Sequence, residues 1–108
     1  MRIKVCKFGG SSVASAEQIQ KVINIVTSEN DRRIVVVSAP GKRFSADTKV
    51  TDMLIALANC VLEGRSTDEA VAAILNRFES IRAELDLSHE LMNTVEEELR
   101  KRISLPTT

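Results

Sequence analysis

The chain has 108 residues, 44% of them hydrophobic, 28% charged and 3% aromatic, with fifteen basic residues balancing fifteen acidic ones. This composition excludes a disordered or membrane-embedded chain, and the zero formal net charge excludes the broad basic field of a protein that tracks a nucleic-acid backbone. A chain of this length fits one small domain that hides roughly 65% of its unfolded surface, with a core of Leu, Ile and Val, and any anion site on it must be local.

The opening residues, MRIKVCK, alternate charged and apolar side chains and hold no continuous hydrophobic stretch for a signal peptide or membrane helix. The expectation is a cytoplasmic protein with neither membrane nor nucleic acid as partner. Cys6 and Cys60 are too few and too far apart for a disulfide framework or a thiolate metal site. They read as buried free thiols, and no metal-ligating set is expected.

In chain order, Ile3 and Val5 on one side and Cys6 on the other predict a short strand that stops at Gly9-Gly10. A helix follows, because Ile19, Val22, Ile23 and Val26 recur at helical spacing and Ser15 with Gln18 has the spacing of a capping box. The β-branched run Ile34 to Val37 predicts a second strand that ends at Ser38. Being apolar on both faces, it suits a central parallel strand with helices over either side. Strand, helix and strand make a βαβ unit, whose right-handed crossover brings Lys7 and Ser38 to the same sheet edge.

Residues 39–49, APGKRFSADTK, form the longest polar break and read as a mobile surface loop. Thr51 is a natural N-cap for a helix carrying Leu54, Leu57, Ala58, Val61 and Leu62 up to a stop at Gly64. A third helix is expected from near Ser66, with Glu69 completing a capping box, packing through Val71, Ile74, Leu75, Phe78 and Ile81. The last begins after Ser88 and presents Leu91, Val95, Leu99 and Ile103. On its other face Glu96, Glu97 and Glu98 each precede a basic residue by four positions. His89, with no metal-ligand spacing around it, reads as a surface residue, and Met53, Met92 and Phe78 as packing residues.

Two strands followed by three helices leave sheet edges with unpaired backbone groups, which further strands or a second copy would cover. A homodimer is therefore conceivable. A freestanding helical interaction module without catalysis is the alternative reading.

At the end of the first strand, Gly9 and Gly10 let a ligand approach the main chain, Lys7 adds an ammonium, and Ser11 and Ser12 add hydroxyls. Together they can cradle phosphoryl oxygens at the edge where open α/β folds place ligands. A plain strand-to-helix turn, with Lys7 solvated and the serines as local caps, explains the same residue types. The pattern is not a Walker A loop, since no GK[ST] follows at the required spacing.

Three stretches taken in order, KFGGSSV at 7–13, VVVSAPGK at 35–42 and KVTDMLIALA at 49–58, resemble the amino-terminal segment of the aspartate kinases of the amino-acid kinase family. The resemblance is strong over residues 2 to about 64 and general beyond. It implies a partial three-layer α/β fold, a βαβ unit followed by three helices, over 1–108 as an amino-terminal fragment of the catalytic domain. It implies a parent that moves the ATP γ-phosphoryl group to the side-chain carboxylate of L-aspartate, giving 4-phospho-L-aspartate in lysine, threonine and methionine biosynthesis, with ATP and Mg2+ required and the fragment alone inactive.

By the same resemblance, Lys7 is the catalytic lysine, Lys7, Phe8, Gly9, Gly10, Ser11 and Ser12 bind ATP phosphates, and Ser38 and Thr51 bind aspartate. Ser11 replaces a common threonine and keeps its hydroxyl, and Asp52 stands where asparagine often follows Thr51. Lys42, Arg43 and Lys49 either cover an anionic substrate or stay solvated, and solvation is the expectation. The family's later acidic and arginine residues, its catalytic aspartate and most of its ATP-binding lobe have no counterpart before Thr108, and the closing RKRISLPTT does not resemble a finish of this fold.

Overall fold

The computed structural model describes residues 2–104; Met1 and the last four residues of the closing stretch lie outside the described residues. The chain divides into two compact units, Met1–Thr51 and Asp52–Thr108.

In the first unit, strand β1 (Lys4–Phe8) leads into a short 3-10 helix (Gly10–Val13), helix α1 (Ala16–Thr27) and strand β2 (Arg32–Val37). The strands pair in parallel, with Val5 opposite Ile34, Cys6 opposite Val35, Lys7 opposite Val36 and Phe8 opposite Val37, after a register irregularity between Lys4 and Val5. The βαβ unit is thus formed as expected. Helix α1 starts where Ser15 Oγ accepts the Gln18 N–H at 3.4 Å, the serine half of the anticipated capping box. Val22 on its inner face is buried, as are Val13, Ala14 and Ala16 before it.

The far end of the sheet is tied by charge. Arg32 Nη1 donates to the Ile25 carbonyl and to Ser28 Oγ, both at 2.6 Å, placing a cation at the C-terminus of α1, where the helix dipole favours it. Lys4 Nζ lies 2.7 Å from Glu29 and 3.7 Å from Asp31. The hydrogen bond from Lys4 holds the Glu29 carboxyl below its ordinary range.

One expectation is corrected here. Ile34, Val35, Val36 and Val37 are 50%, 41%, 45% and 57% exposed, so β2 is not a strand covered on both sides. An apolar run records what a strand is suited to bury, and the described sheet has two strands, so each has an open edge. Nor are the cysteines fully buried: both are free and half-buried.

The second unit is helical. Helix α2 (Val50–Leu62), whose first two residues belong to the first unit, is followed by α3 (Asp68–Glu84) and α4 (Glu90–Ile103). Leu57, Val71 and Ile74 form a buried cluster, with Met53, Ala70, Leu75, Phe78, Leu99 and Ile103 packed against it. The expected face of α3 packs here, but of the face expected on α2 only Leu57 is buried: Leu54 and Leu62 are 42% and 70% exposed, as Leu91, placed on the α4 stripe, is 44% exposed.

The helix ends are fixed locally. Gly64, at φ 67°, lets its N–H reach the Val61 carbonyl and the Arg65 N–H reach that of Cys60, the paired bonds of a Schellman stop. Asp86, at φ 55°, ends α3 in the same way, with the Asp86 N–H on Ala83 and the Leu87 N–H on Arg82. Arg82, 9% exposed, holds that turn by donating from Nη1 to the Leu87 carbonyl at 2.9 Å while Nε and Nη2 grip Glu79 at 2.8 and 2.7 Å. Helix α3 starts two residues later than Ser66, whose hydroxyl accepts the Asp68 N–H at 3.4 Å. On α4 the pairs Glu96–Arg100 and Glu98–Arg102 stand at 2.9 and 3.5 Å.

Candidate active site

Parallel pairing carries both strands to the same edge, and there the Ser38 N–H donates to the Phe8 carbonyl at 3.1 Å. Beyond that bond the chain opens into two loops, one after each strand, that dock backbone to backbone. The Gly41 N–H donates to the Gly10 carbonyl at 2.8 Å. A Cβ on Gly41 would lie 2.8 Å from the Gly10 carbonyl carbon, and one on Gly10 would lie 3.1 Å from the Ala39 oxygen. These two glycines are needed because the main chains touch.

Gly9 differs. Its backbone is extended, at φ −74° and ψ 175°, and a Cβ there would meet nothing within 4 Å. Neither Gly9 nor Gly10 has a positive φ, so the turn does not use the left-handed conformation open to glycine. Gly10 serves loop docking, and Gly9 leaves an open surface.

The second loop is pinned at three further points. The Val50 N–H donates to the Pro40 carbonyl at 3.0 Å. The Asp47 carboxylate receives Arg43 Nε at 2.6 Å, Arg43 Nη2 at 2.9 Å and the Arg43 N–H at 2.9 Å. The Asp47 N–H returns to the Phe44 carbonyl at 3.0 Å, and the Arg43 guanidinium lies 5.6 Å from the centre of the Phe44 ring. Asp47 is 7% exposed at its side chain, and the Arg43 hydrogen bonds hold its carboxyl far below the usual carboxylate range. A segment that read as a mobile loop is therefore cross-braced.

Between the loops lies a cavity of about 440 Å³ lined by Gly10, Ser11, Ser38, Ala39, Pro40, Gly41, Lys42, Lys49 and Thr51. Of the residues anticipated from sequence, Gly10, Ser11, Ser38 and Thr51 meet here. Lys7, Phe8, Gly9 and Ser12 do not line it. Lys7 is exposed on the opposite face of β1 from the half-buried Cys6 and Phe8, and its partner Val36 precedes Ser38 by two residues, about 7 Å of strand.

Thr51 is not the N-cap. Helix α2 begins at Val50, so Thr51 sits in its first turn, because the Pro40 carbonyl, not a side chain, takes the Val50 N–H. The following N–H groups of that turn lack i−4 partners and carry the positive end of the helix dipole. Solvation alone was expected for Lys42 and Lys49, yet both line the cavity while staying exposed. The signal was their place on a long loop joining a strand end to a helix start. No carboxylate lines the cavity. A second hollow of about 540 Å³, wholly in the helical unit, is lined by Cys60, Arg65, Ser66, Glu69 and Ala70, and contains none of the anticipated residues.

The profile of the amino acid kinase family matches residues 2–103. Aspartokinase 3 of Bacillus subtilis (strain 168) is 47% identical over 97 residues, which are 90% of this chain and 21% of that protein. The chloroplastic aspartokinase 2 of Arabidopsis thaliana is 54% identical over 39 residues, 35% of this chain and 7% of that one. The crystal structure of Clostridium acetobutylicum aspartate kinase superposes with a TM-score of 0.88 at 36% identity, over 95% of this chain and 24% of that one. The chain spans about a fifth of the Bacillus relative and a quarter of the Clostridium one. On sequence and backbone alike it matches a segment of aspartate kinases, and it belongs to the amino acid kinase family.

Proposed function

We propose that this chain supplies the phosphate-cradling and acceptor-binding corner of an aspartate kinase, which transfers the ATP γ-phosphoryl group to the side-chain carboxylate of L-aspartate and releases 4-phospho-L-aspartate and ADP, the opening step toward lysine, threonine and methionine. The observation that carries this reading is the convergence of Gly10, Ser11, Ser38 and Thr51, from three separate segments, on one cavity at the C-terminal sheet edge, where α/β folds take their ligands.

In the transfer, an aspartate carboxylate oxygen forms a bond to the γ-phosphorus while the bridging β–γ oxygen leaves with its electron pair on ADP. The acceptor is already ionised at neutral pH, so no protein base is required. Positioning and charge neutralisation supply the catalysis. Lys7 neutralises charge on the transferring group; Phe8, Gly9 and Gly10 offer main chain, and Ser11 and Ser12 hydroxyls, to the phosphate oxygens. Ser38 and Thr51 receive the acceptor carboxylate.

Mg2+ would accompany ATP. Among the described residues no group of three or more His, Cys, Asp or Glu forms a metal site and no carboxylate lines the cavity, so the described residues offer no carboxylate ligand there and the nucleotide's own phosphates would hold the ion. A cytoplasmic, homodimeric enzyme is part of the same proposal; no helix among the described residues is long and apolar enough to cross a membrane. The 108-residue chain alone is expected to be inactive.

The test is Lys7→Ala in the intact enzyme. Aspartate-dependent ADP release should fall about 10²-fold or more if the ammonium acts on transition-state charge. Undiminished turnover would remove Lys7 from the mechanism.

A further inference from the structure

We propose that Arg43 is a positioning residue for the acceptor site: by gripping the Asp47 carboxylate it keeps that carboxylate out of the cavity, where it would pair with the lining lysines and stand in the way of an anionic acceptor. This rests on the reading of the cavity as the acceptor site and adds to it a residue that does not line the cavity.

The loop after β2 carries a competitor for its own cavity. Residues 39–49 hold three cations, Lys42, Arg43 and Lys49, and one acid, Asp47. Lys42 and Lys49 are in the lining, whereas Arg43 and Asp47 are not. Asp47 stands two residues before Lys49 and five after Lys42, so at most about 7 Å of extended chain separates it from the nearer lysine. A carboxylate tethered so close to an ammonium group has a high effective concentration there and competes with any dissolved anion.

Arg43 takes both oxygens of that carboxylate. Nε donates to Oδ2 at 2.6 Å, Nη2 to Oδ1 at 2.9 Å, and the Arg43 main-chain N–H to Oδ2 at 2.9 Å. The Thr48 main-chain N–H adds a further bond. Two parallel guanidinium bonds are the charge-assisted geometry in which arginine holds a carboxylate best. Within it the Asp47 side chain is 7% exposed. Among the described residues no ion pair joins Asp47 to Lys42 or Lys49.

The turn that does this is closed on itself. The lining stops at Lys42 and resumes at Lys49. Just outside those positions the Gly41 N–H is held by Gly10 and the Val50 N–H by Pro40, so the cavity walls have anchors of their own. Loss of Arg43 leaves those anchors in place and strands a carboxylate that was almost buried. A buried charge deprived of its partner must find another or reach water, and the other cations of the loop are the two in the lining. Simple stiffening of the loop would make the two halves of the pair equivalent; sequestration makes them unequal, because loss of Asp47 removes the competitor as well as the brace.

The test is steady-state kinetics of the intact enzyme carrying Arg43→Met, Asp47→Asn or both. Arg43→Met should raise the KM for aspartate about fivefold, the scale of an exposed charge pair, with kcat within about twofold, since saturating aspartate displaces an internal competitor. Asp47→Asn and the double variant should both keep KM within about twofold of the parent value. In the isotope-labelled 108-residue chain, the side-chain ammonium resonances of Lys42 and Lys49 should shift in Arg43→Met and return in the double variant, with the Gly41 and Val50 amides in place throughout.

Equal impairment of the three variants, an unaltered KM in Arg43→Met, a fall confined to kcat, or a loss of fold in Arg43→Met that Asp47→Asn does not repair would each overturn the proposal. Failure of the kinase reading looks different: the intact enzyme would release no ADP with aspartate, while the ammonium resonances still moved and returned as described.

Discussion

Both units of this chain bury apolar residues, but they differ in what becomes of their most apolar stretches. In the helical unit Val71 and Ile74 are 1% and 2% exposed and gather half-buried neighbours around them. In the strand unit Val13, Ala14, Ala16, Val22 and Val50 are buried, yet the most apolar stretch, Ile34 to Val37, stays 41–57% exposed, and main-chain bonds between the loops and a charged brace within one of them add order at the sheet edge. The helical unit is held by what it buries; the strand unit is held both by what it buries and by the bonds at the edge where its cavity lies. The residues that line the cavity lie in the strand unit, where main-chain bonds hold the two loops together.

That contrast can be broken most severely at Ile74. Ile74→Ala should cost about 2–5 kcal/mol, the range for truncating a buried aliphatic side chain, read as a fall in the denaturant midpoint of the helical signal. A loss below 1 kcal/mol would mean that the cluster is not what holds the helices. Gly41→Ala comes next. The added methyl would lie 2.8 Å from Gly10 main chain, so the two loops must part at a cost of about 1–3 kcal/mol, and the amide resonances of Gly10, Ser11 and Gly41 should shift while those of Leu57 and Ile74 do not. Gly9→Ala, with open space around it, is the matched control and should leave both sets in place.

The Arg43–Asp47 brace gives a pH signature. The folded pKa of Asp47 is depressed, so its stabilisation is fully present above the unfolded value of about 3.9 and is lost only as pH falls through the lower folded value. Loop amides from Arg43 to Asp47 should therefore keep their positions as pH is lowered through 4 and move only at stronger acidity. Movement centred near pH 4 would show that Arg43 does not hold the carboxyl. The smallest effect belongs to the exposed strand: Val36→Thr should change stability by less than about 0.5 kcal/mol, and a loss of several kcal/mol would contradict an uncovered β2.

Much of this architecture is legible in the residues because its causes are local. Ser15 starts α1 and Gly64 ends α2 through bonds that a few neighbouring positions determine. The misplacements have non-local causes. Val50 is a poor cap by type, yet it begins α2 because Pro40, ten residues away, takes its N–H. Asp86 adopts a left-handed conformation that its residue type seldom signals, with Arg82 reaching across to the Leu87 carbonyl. Exposure of Ile34 to Val37 was hidden because a β-branched run reads the same whether or not anything lies over it. At the site, Ser38 and Thr51 were legible from the order of the motifs, whereas Lys42 and Lys49 enter the lining only once Gly10 and Gly41 are seen to dock.

On the proposal above, the ends of β1 and β2 and the start of α2 form one ligand-receiving edge. Its most direct test is to add β,γ-methylene-ATP and L-aspartate in turn to the labelled chain and map the amides that respond. Nucleotide responses are expected over Lys7 to Ser12 and aspartate responses at Ser38, Gly41 and Thr51. Responses centred instead on Cys60, Arg65 and Ser66, beside the hollow of the helical unit, would contradict it.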